Sequence, residues 1–380
     1  MRNISLLLEC NKHLENKSFK IEIYDNKIVC RVESVEFDGV TIKKIIQNIN
    51  TILKKFRSNK VPIIFSFGDA SIKDKLSFIM FECLCYLLIT KFKNKISIDL
   101  KPKADTSINS IQFSPITDLN TNIDVFTKRF KYELQGKHFR KLIDGCDKAD
   151  TNYLGILQQD IDFFLKHISI AQDCRDDMSE VIVELVGNAI EHGMSDCLLD
   201  IDVTDDYIAK SDIHNNRYLG INIAIVNFSE KNLNHGLMKR STDGLYKTDR
   251  HQRLEEAYTF HKSNFSEEYT ENDFYTLASF QDKISGRSDK PRETGGVGLT
   301  KLIKSLQEKS HGEFCYMITG NRAVMFKLAL LGYDNDEWLG FNEERNFFSN
   351  VPDKEMLSNC PIYMPGTAYS LNFMIKKEEV

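Results

Sequence analysis

No apolar run in this 380-residue sequence approaches the roughly 20 residues of a membrane-spanning helix, so no membrane partner is expected. No C-x-x-C pair occurs among the 9 cysteines, which argues against a zinc clip or a dithiol redox motif. Cys83 and Cys85 stand too close together for such a clip and fall in an apolar helical pattern, so the thiols read as core residues of a reducing compartment. There is no excess of positive charge. The formal net charge is −5, and nucleic acid is not indicated. The basic run at residues 91–95 (KFKNK) reads as a solvated face. The first twenty residues carry a basic residue and a short apolar run but no small-residue cleavage site, so they do not read as a signal peptide and a cytoplasmic protein is expected. No Gly-Lys-Ser or Gly-Lys-Thr follows a glycine cluster, which excludes a P-loop.

What is present alternates between two periods. Residues 19–24 and 27–32 alternate polar and apolar around Asp25-Asn26, the pattern of a hairpin or of two successive strands. Ile42, Ile45, Ile46, Ile49, Ile52, Leu53 and Phe56 then share one helical face. A short strand at 61–67 is expected to end at Gly68-Asp69, followed by a helix carrying Ile72, Leu76, Ile79, Met80, Cys83, Leu84 and Leu87, and by a strand at 96–100. These elements predict a small α/β domain over residues 1–105. Residues 101–114 are polar and aperiodic, a linker pattern, and 106–150 reads as linker plus a connecting helix, with helical stretches at about 120–143 and 153–170. Strands are predicted at 198–203 and 218–228. The second of these is apolar almost throughout, as in a sheet covered on both faces. Residues 229–292 are polar and aromatic and suggest a lid over a site, the plainer alternative being a surface insertion. A hairpin is predicted at 314–328 around Gly320-Asn321, then an insertion at 332–361 and a last strand at 367–375.

Two stretches carry chemistry. Residues 181–193 read VIVELVGNAIEHG, a helix placing Glu184, Asn188 and His192 at i, i+4 and i+8 on one polar stripe of an otherwise apolar surface. A buried carboxylate, amide and imidazole in register need partners, and a metal–phosphate group is one such partner. An amphipathic helix with an orderly polar face is the other reading. Residues 293–306 read ETGGVGLTKLIKSL, where Gly295, Gly296 and Gly298 precede a helix whose apolar face is Leu299, Leu302, Ile303 and Leu306. Glycines admit close backbone approach, and a helix N-terminus offers free N–H groups to an anion.

These pieces resemble the GHKL (histidine kinase-like) ATPase superfamily, whose fold is shared by gyrase B subunits, histidine kinases and anti-sigma-factor serine kinases. Its N-box pattern E-x-x-x-N-A-x-x-H stands here as Glu184, Asn188, Ala189 and His192, and the following Gly193 looks most like the anti-sigma-factor kinase branch. Gly295, Gly296, Gly298 and Leu299 match the glycine box, Arg287 resembles the basic segment before it, and Gly366-Thr367 is similar to the Gly-Thr beside the adenine pocket. The middle box departs from the usual Asp-x-Gly-x-Gly. Here the strand ends Val226-Asn227-Phe228-Ser229-Glu230, placing an amide where the family has a carboxylate, without the glycines. Asn227 can still accept a hydrogen bond from an adenine amino group through its carbonyl oxygen.

The resemblance implies an α+β chain: a two-layer α/β sandwich of the Bergerat type over 151–380, preceded by the small domain. It implies a bacterial, cytoplasmic protein using ATP and Mg²⁺, with a protein partner or self-association. Asn188 would coordinate Mg²⁺, Glu184 would orient the attacking water or hydroxyl, and His192 would face the phosphates or the lid. Gly295, Gly296 and Gly298 would wrap the phosphates, with Arg287, Arg292 and Lys301 as γ-phosphate contacts and Thr367 supporting the adenine pocket. The order of elements in 1–105 also loosely resembles a STAS-like domain, with Ser71 in the place of a phosphorylatable turn serine. Three functions follow as alternatives: a hydrolysing conformational switch, a protein serine/threonine kinase, and a nucleotide-sensing scaffold without turnover. Glu184 beside Asn188 argues for chemistry. No H-E-L-R phosphoacceptor context surrounds His138 or His167, which argues against a histidine autokinase.

Overall fold

A computed structural model describes residues 1–14, 22–24, 26–32, 36–56, 61–72, 74–102, 114–145, 152–208, 217–244, 249–282, 284, 298–309 and 315–376. Its N-terminal part contains α1 (Leu6–Cys10), β1 (Glu22–Tyr24), β2 (Lys27–Arg31), β3 (Glu36–Phe37), α2 (Gly39–Lys55), β4 (Ile63–Ile72), α3 (Lys75–Thr90), β5 (Ile96–Pro102) and α4 (Ile123–Lys131). β2, β3 and β5 all run parallel to β4, and β1 pairs antiparallel with β2 as a hairpin. Gly68 does not end β4. Its φ of +59° lets the strand bend with a register shift and run on to Ile72. Ser71 therefore lies buried in a strand opposite Glu36, and not in a turn.

The second sheet has six strands in the order β10-β11-β9-β8-β7-β6, all neighbours antiparallel. They are β6 (Tyr132–Gln135), β7 (His138–Ile143), β8 (Cys197–Ile208), β9 (Arg217–Asn227), β10 (Tyr316–Met325) and β11 (Leu357–Lys376). The connecting helices are α5 (Tyr153–His167), α6 (Gln172–Gly193), α7 (His235–Thr242), α8 (Asp249–Lys262), α9 (Glu271–Ala278) and α10 (Gly298–Lys309). Two expectations are corrected. Residues 120–143 are not one helix, because after α4 the chain turns through Gly136 (φ +56°) into the β6–β7 hairpin. Residues 314–328 are not a hairpin. β10 runs straight past Gly320, which absorbs a bulge, and pairs along its length with β11.

Period-2 alternation sends β8 and β9 residues to two different cores. Leu199, Ile201, Ile221, Ile223 and Ile225 face α5, α6 and α10 in front. Leu198, Ala224, Val226 and Phe228 face the N-terminal elements behind. The N-terminal part thus shares a buried core with the back of this sheet. Its helices form a layer between the two sheets, giving four layers. α3 is buried along almost its whole circumference, as its apolar composition requires.

Charges join the back layer to the sheet. Lys75 and Glu82 project from one face of α3, and Lys75 Nζ lies 2.5 Å from Asp200 and 2.9 Å from Asp202 on β8. Arg140 on β7 bridges Glu82 and Asp200, Ser114 donates to Glu82, and His138 Nε2 lies 2.9 Å from Asp200. The polar row continues across the sheet. Asn222 Nδ2 donates to Asp202 at 2.8 Å, and Asn372 Nδ2 to Asn222 at 2.6 Å. Burial alone would raise the Asp200 carboxyl, but Arg140, Lys75 and His138 hold it well below the usual carboxylate range.

Candidate functional site

The site is built where α6, β9 and β11 end together. α6 is longer than its motif, and residues 173–177, with three aspartates, belong to its first turns. Glu184 and Asn188 are half-buried on it, and His192 stands one turn further along. Met194 closes the helix in the left-handed conformation, φ 52°, its N–H bonded to Ile190 O at 3.1 Å. The left-handed position thus falls to Met194, and Gly193 needs another reason to be glycine.

That reason is Asn227. Following Ile225 on the front face of β9, Asn227 turns its side chain toward α6 and is 2% exposed. A Cβ on Gly193 would stand 2.7 Å from Asn227 Nδ2. From the other side Gly366 (φ +91°) closes in, and a Cβ there would lie 2.9 Å from Asn227 Oδ1 and 2.8 Å from Ser229 N. Two glycines therefore make the seat for one amide. Its nitrogen donates to Ser195 Oγ and, at 3.4 Å, to Ala189 O. Among the described residues, no hydrogen bond uses its carbonyl oxygen.

The surround is fixed by further bonds. Ser229 Oγ donates to Gly193 O at 2.7 Å, satisfying a carbonyl of the last turn of α6. Thr319 Oγ1 donates to Gly366 O at 2.7 Å. Thr367 sits directly opposite Asn227 in the β11–β9 register, and Cys197 opposite it on β8. Asp196, next to Ser195, accepts from Gly145 N at 3.1 Å and Arg2 N at 2.7 Å.

Glu184, Asn188, Asn227 and Thr367 are thus gathered on elements that meet. Arg287, Arg292, Gly295 and Gly296 lie outside the described residues. Gly298 opens α10, and Leu299, 7% exposed, packs in the front core. Lys301 is ion-paired with Glu180, one turn before Glu184 on α6, which ties α10 to the motif helix. Ser195, Gly193 and Ser229 were not singled out as site residues by the sequence, although Gly193 closes the motif. Of the expected lid, residues 249–282 are packed, with Leu254, Ala257, Phe274, Leu277 and Phe280 in the front core. His261 anchors this part. Its Nε2 lies 2.7 Å from Phe347 O and its Nδ1 2.9 Å from Tyr269 OH, and burial lowers its pKa. The 332–361 segment is bound to α8 by Arg250, whose guanidinium lies 4.5 Å from the Trp338 ring.

Among the described residues, no group of three or more His, Cys, Asp or Glu side chains is placed to hold a metal ion. No helix of the described residues is long and apolar enough to cross a membrane. Compared with protein-family models, curated proteins and solved structures, the chain finds no match in any of the three.

Proposed function

We propose that this chain is an ATP-binding protein of the GHKL type, in which Mg²⁺-dependent ATP binding and hydrolysis drive a conformational switch. The observation that carries the reading is the seat of Asn227. It is a buried amide held between Gly193 and Gly366, with its carbonyl oxygen left over and Glu184 and Asn188 on the adjoining helix. That is the donor–acceptor chemistry a purine amino group needs at the end of a strand. Asn188 supplies one neutral oxygen, which fits Mg²⁺, an ion that keeps most of its water and shares phosphate oxygens. Bound with the nucleotide, Mg²⁺ neutralises phosphate charge. Glu184 would accept a proton from the attacking water and hold that water in line.

The placing of the N-terminal layer favours a switch over phosphoryl transfer to another protein. It packs on the back of β9 and β11, the strands whose ends hold Asn227 and Thr367. A shift of those strand ends has a direct outlet in this layer. Calorimetry with ATP, with and without Mg²⁺, tests the reading. Wild type should bind in a Mg²⁺-dependent way and Asn188→Ala should lose that dependence. Glu184→Ala should bind but stop hydrolysing. Absence of nucleotide binding by the wild-type chain would sink the proposal.

A further inference from the structure

We infer that Ser195, acting through Asn227, makes the site selective for a 6-amino purine over a 6-oxo purine. The inference rests on the nucleotide reading above and deepens it. An aspartate at the base of such a pocket has acceptors only. An asparagine has one acceptor and one donor, and a half-turn of its amide exchanges them. Which one meets the base is therefore decided by what holds the other.

Here the nitrogen is held. Asn227 Nδ2 donates to Ser195 Oγ and lies 3.4 Å from Ala189 O. The carbonyl of Ala189 can only accept, so a turned amide would set two oxygens against each other. The Ser195 hydroxyl lies 3.4 Å from Asp196 O and donates there, which leaves an oxygen lone pair for Asn227. Ser195 itself is fixed. It is 4% exposed, and a Cβ on Gly145 would stand 2.7 Å from its backbone carbon, so Gly145 is packed hard against it. The bonds of Gly145 N and Arg2 N to Asp196 hold the same turn. With the nitrogen committed, Oδ1 is the atom presented to a ligand. It accepts from the 6-amino group of adenine and opposes the 6-oxygen of hypoxanthine or guanine.

The test is calorimetry of the full chain with ATP and with inosine triphosphate, both with Mg²⁺, read as the ratio of their affinities. Wild type should prefer ATP by about tenfold, the scale of one hydrogen bond gained against one opposed. Ser195→Ala should reduce that ratio several-fold, while Ser195→Thr, which keeps the hydroxyl, should preserve it. In an Asn227→Asp background, where both oxygens accept, Ser195→Ala should leave the ratio unchanged. A structural role for Ser195 would weaken both nucleotides alike and leave the ratio where it was. ATP binding with a ratio indifferent to Ser195→Ala overturns this inference and leaves the proposed function standing. Failure of the wild type to bind either nucleotide overturns the proposed function, and this inference with it.

Discussion

The two faces of the six-stranded sheet are covered by different chemistry. In front, Ile201, Ile221, Ile223 and Ile225 meet the apolar sides of α5, α6 and α10. Behind, Asp200, Asp202, His138 and Arg140 meet Lys75 and Glu82 of α3. Apolar packing tolerates a neighbour of roughly the right volume. A buried set of charges accepts only the partner that neutralises it, in one register, because any other arrangement leaves a charge unpaired. The front face is thus free to be shaped around a ligand site. The back face specifies one docking of the N-terminal layer and holds it there.

The sharpest way to break this comparison is to remove Arg140. Arg140→Met should cost about 3–5 kcal/mol in urea unfolding, since Glu82 and Asp200 each lose a buried cation. Adding Glu82→Leu should recover part of that loss, because one orphaned charge goes with it. A methylene removed from the front, Ile223→Val, should cost only about 0.5–1.5 kcal/mol. Equal losses for the two single variants would refute the distinction between the faces. Gly366→Ala comes next. At φ +91° and against Ser229 N and Asn227, it should cost roughly 1–3 kcal/mol and abolish nucleotide binding.

Acid separates the faces a third way. The Asp200 carboxyl is held well below its ordinary 3.8, so its contribution is full above that value and is lost only as pH falls through the lower folded one. His261 in the front region is lowered from 6.5 by burial, so the unfolded chain takes up its proton first and stability falls as pH drops below 6.5. Chemical denaturation across pH should therefore show an early loss below 6.5 that His261→Gln removes, and a later one below 3.8 that Arg140→Met shrinks. An early loss unchanged in His261→Gln would assign it elsewhere.

Much of the front was legible in the sequence, because periodicity reports a face that is simply apolar. β9 and α6, and with them Glu184, Asn188 and Asn227, fall where the pattern put them. The back was not, because its charges look like ordinary polar alternation until both faces of the sheet are known to be covered. The signal that could have revealed it is in α3, where Lys75 and Glu82 stand seven residues apart on a helix otherwise apolar all round. Gly320-Asn321 was misleading for a related reason. It is a turn sequence, but β11 offers a partner on both sides of it, so the chain bulges instead of reversing. The β6–β7 hairpin was hidden because residues 120–143 also carry a helical repeat of apolar positions, which α4 uses only as far as Lys131.

The smallest expected change in stability carries the clearest test of the site. Gly193 lies in the last turn of α6, where alanine is a better helix former than glycine by roughly 1 kcal/mol. Its added Cβ, however, would fall 2.7 Å from Asn227 Nδ2, and the amide would have to leave its seat. These two effects oppose each other in stability, so Gly193→Ala should unfold within about 1 kcal/mol of wild type. They do not oppose each other in binding, because a displaced Asn227 no longer presents its carbonyl oxygen. The variant should therefore be folded, with a urea midpoint near that of wild type, and should fail to bind ATP in calorimetry. A Gly193→Ala protein that binds ATP as wild type does would mean that the seat between the two glycines is only packing, and would move the base-recognition role away from Asn227.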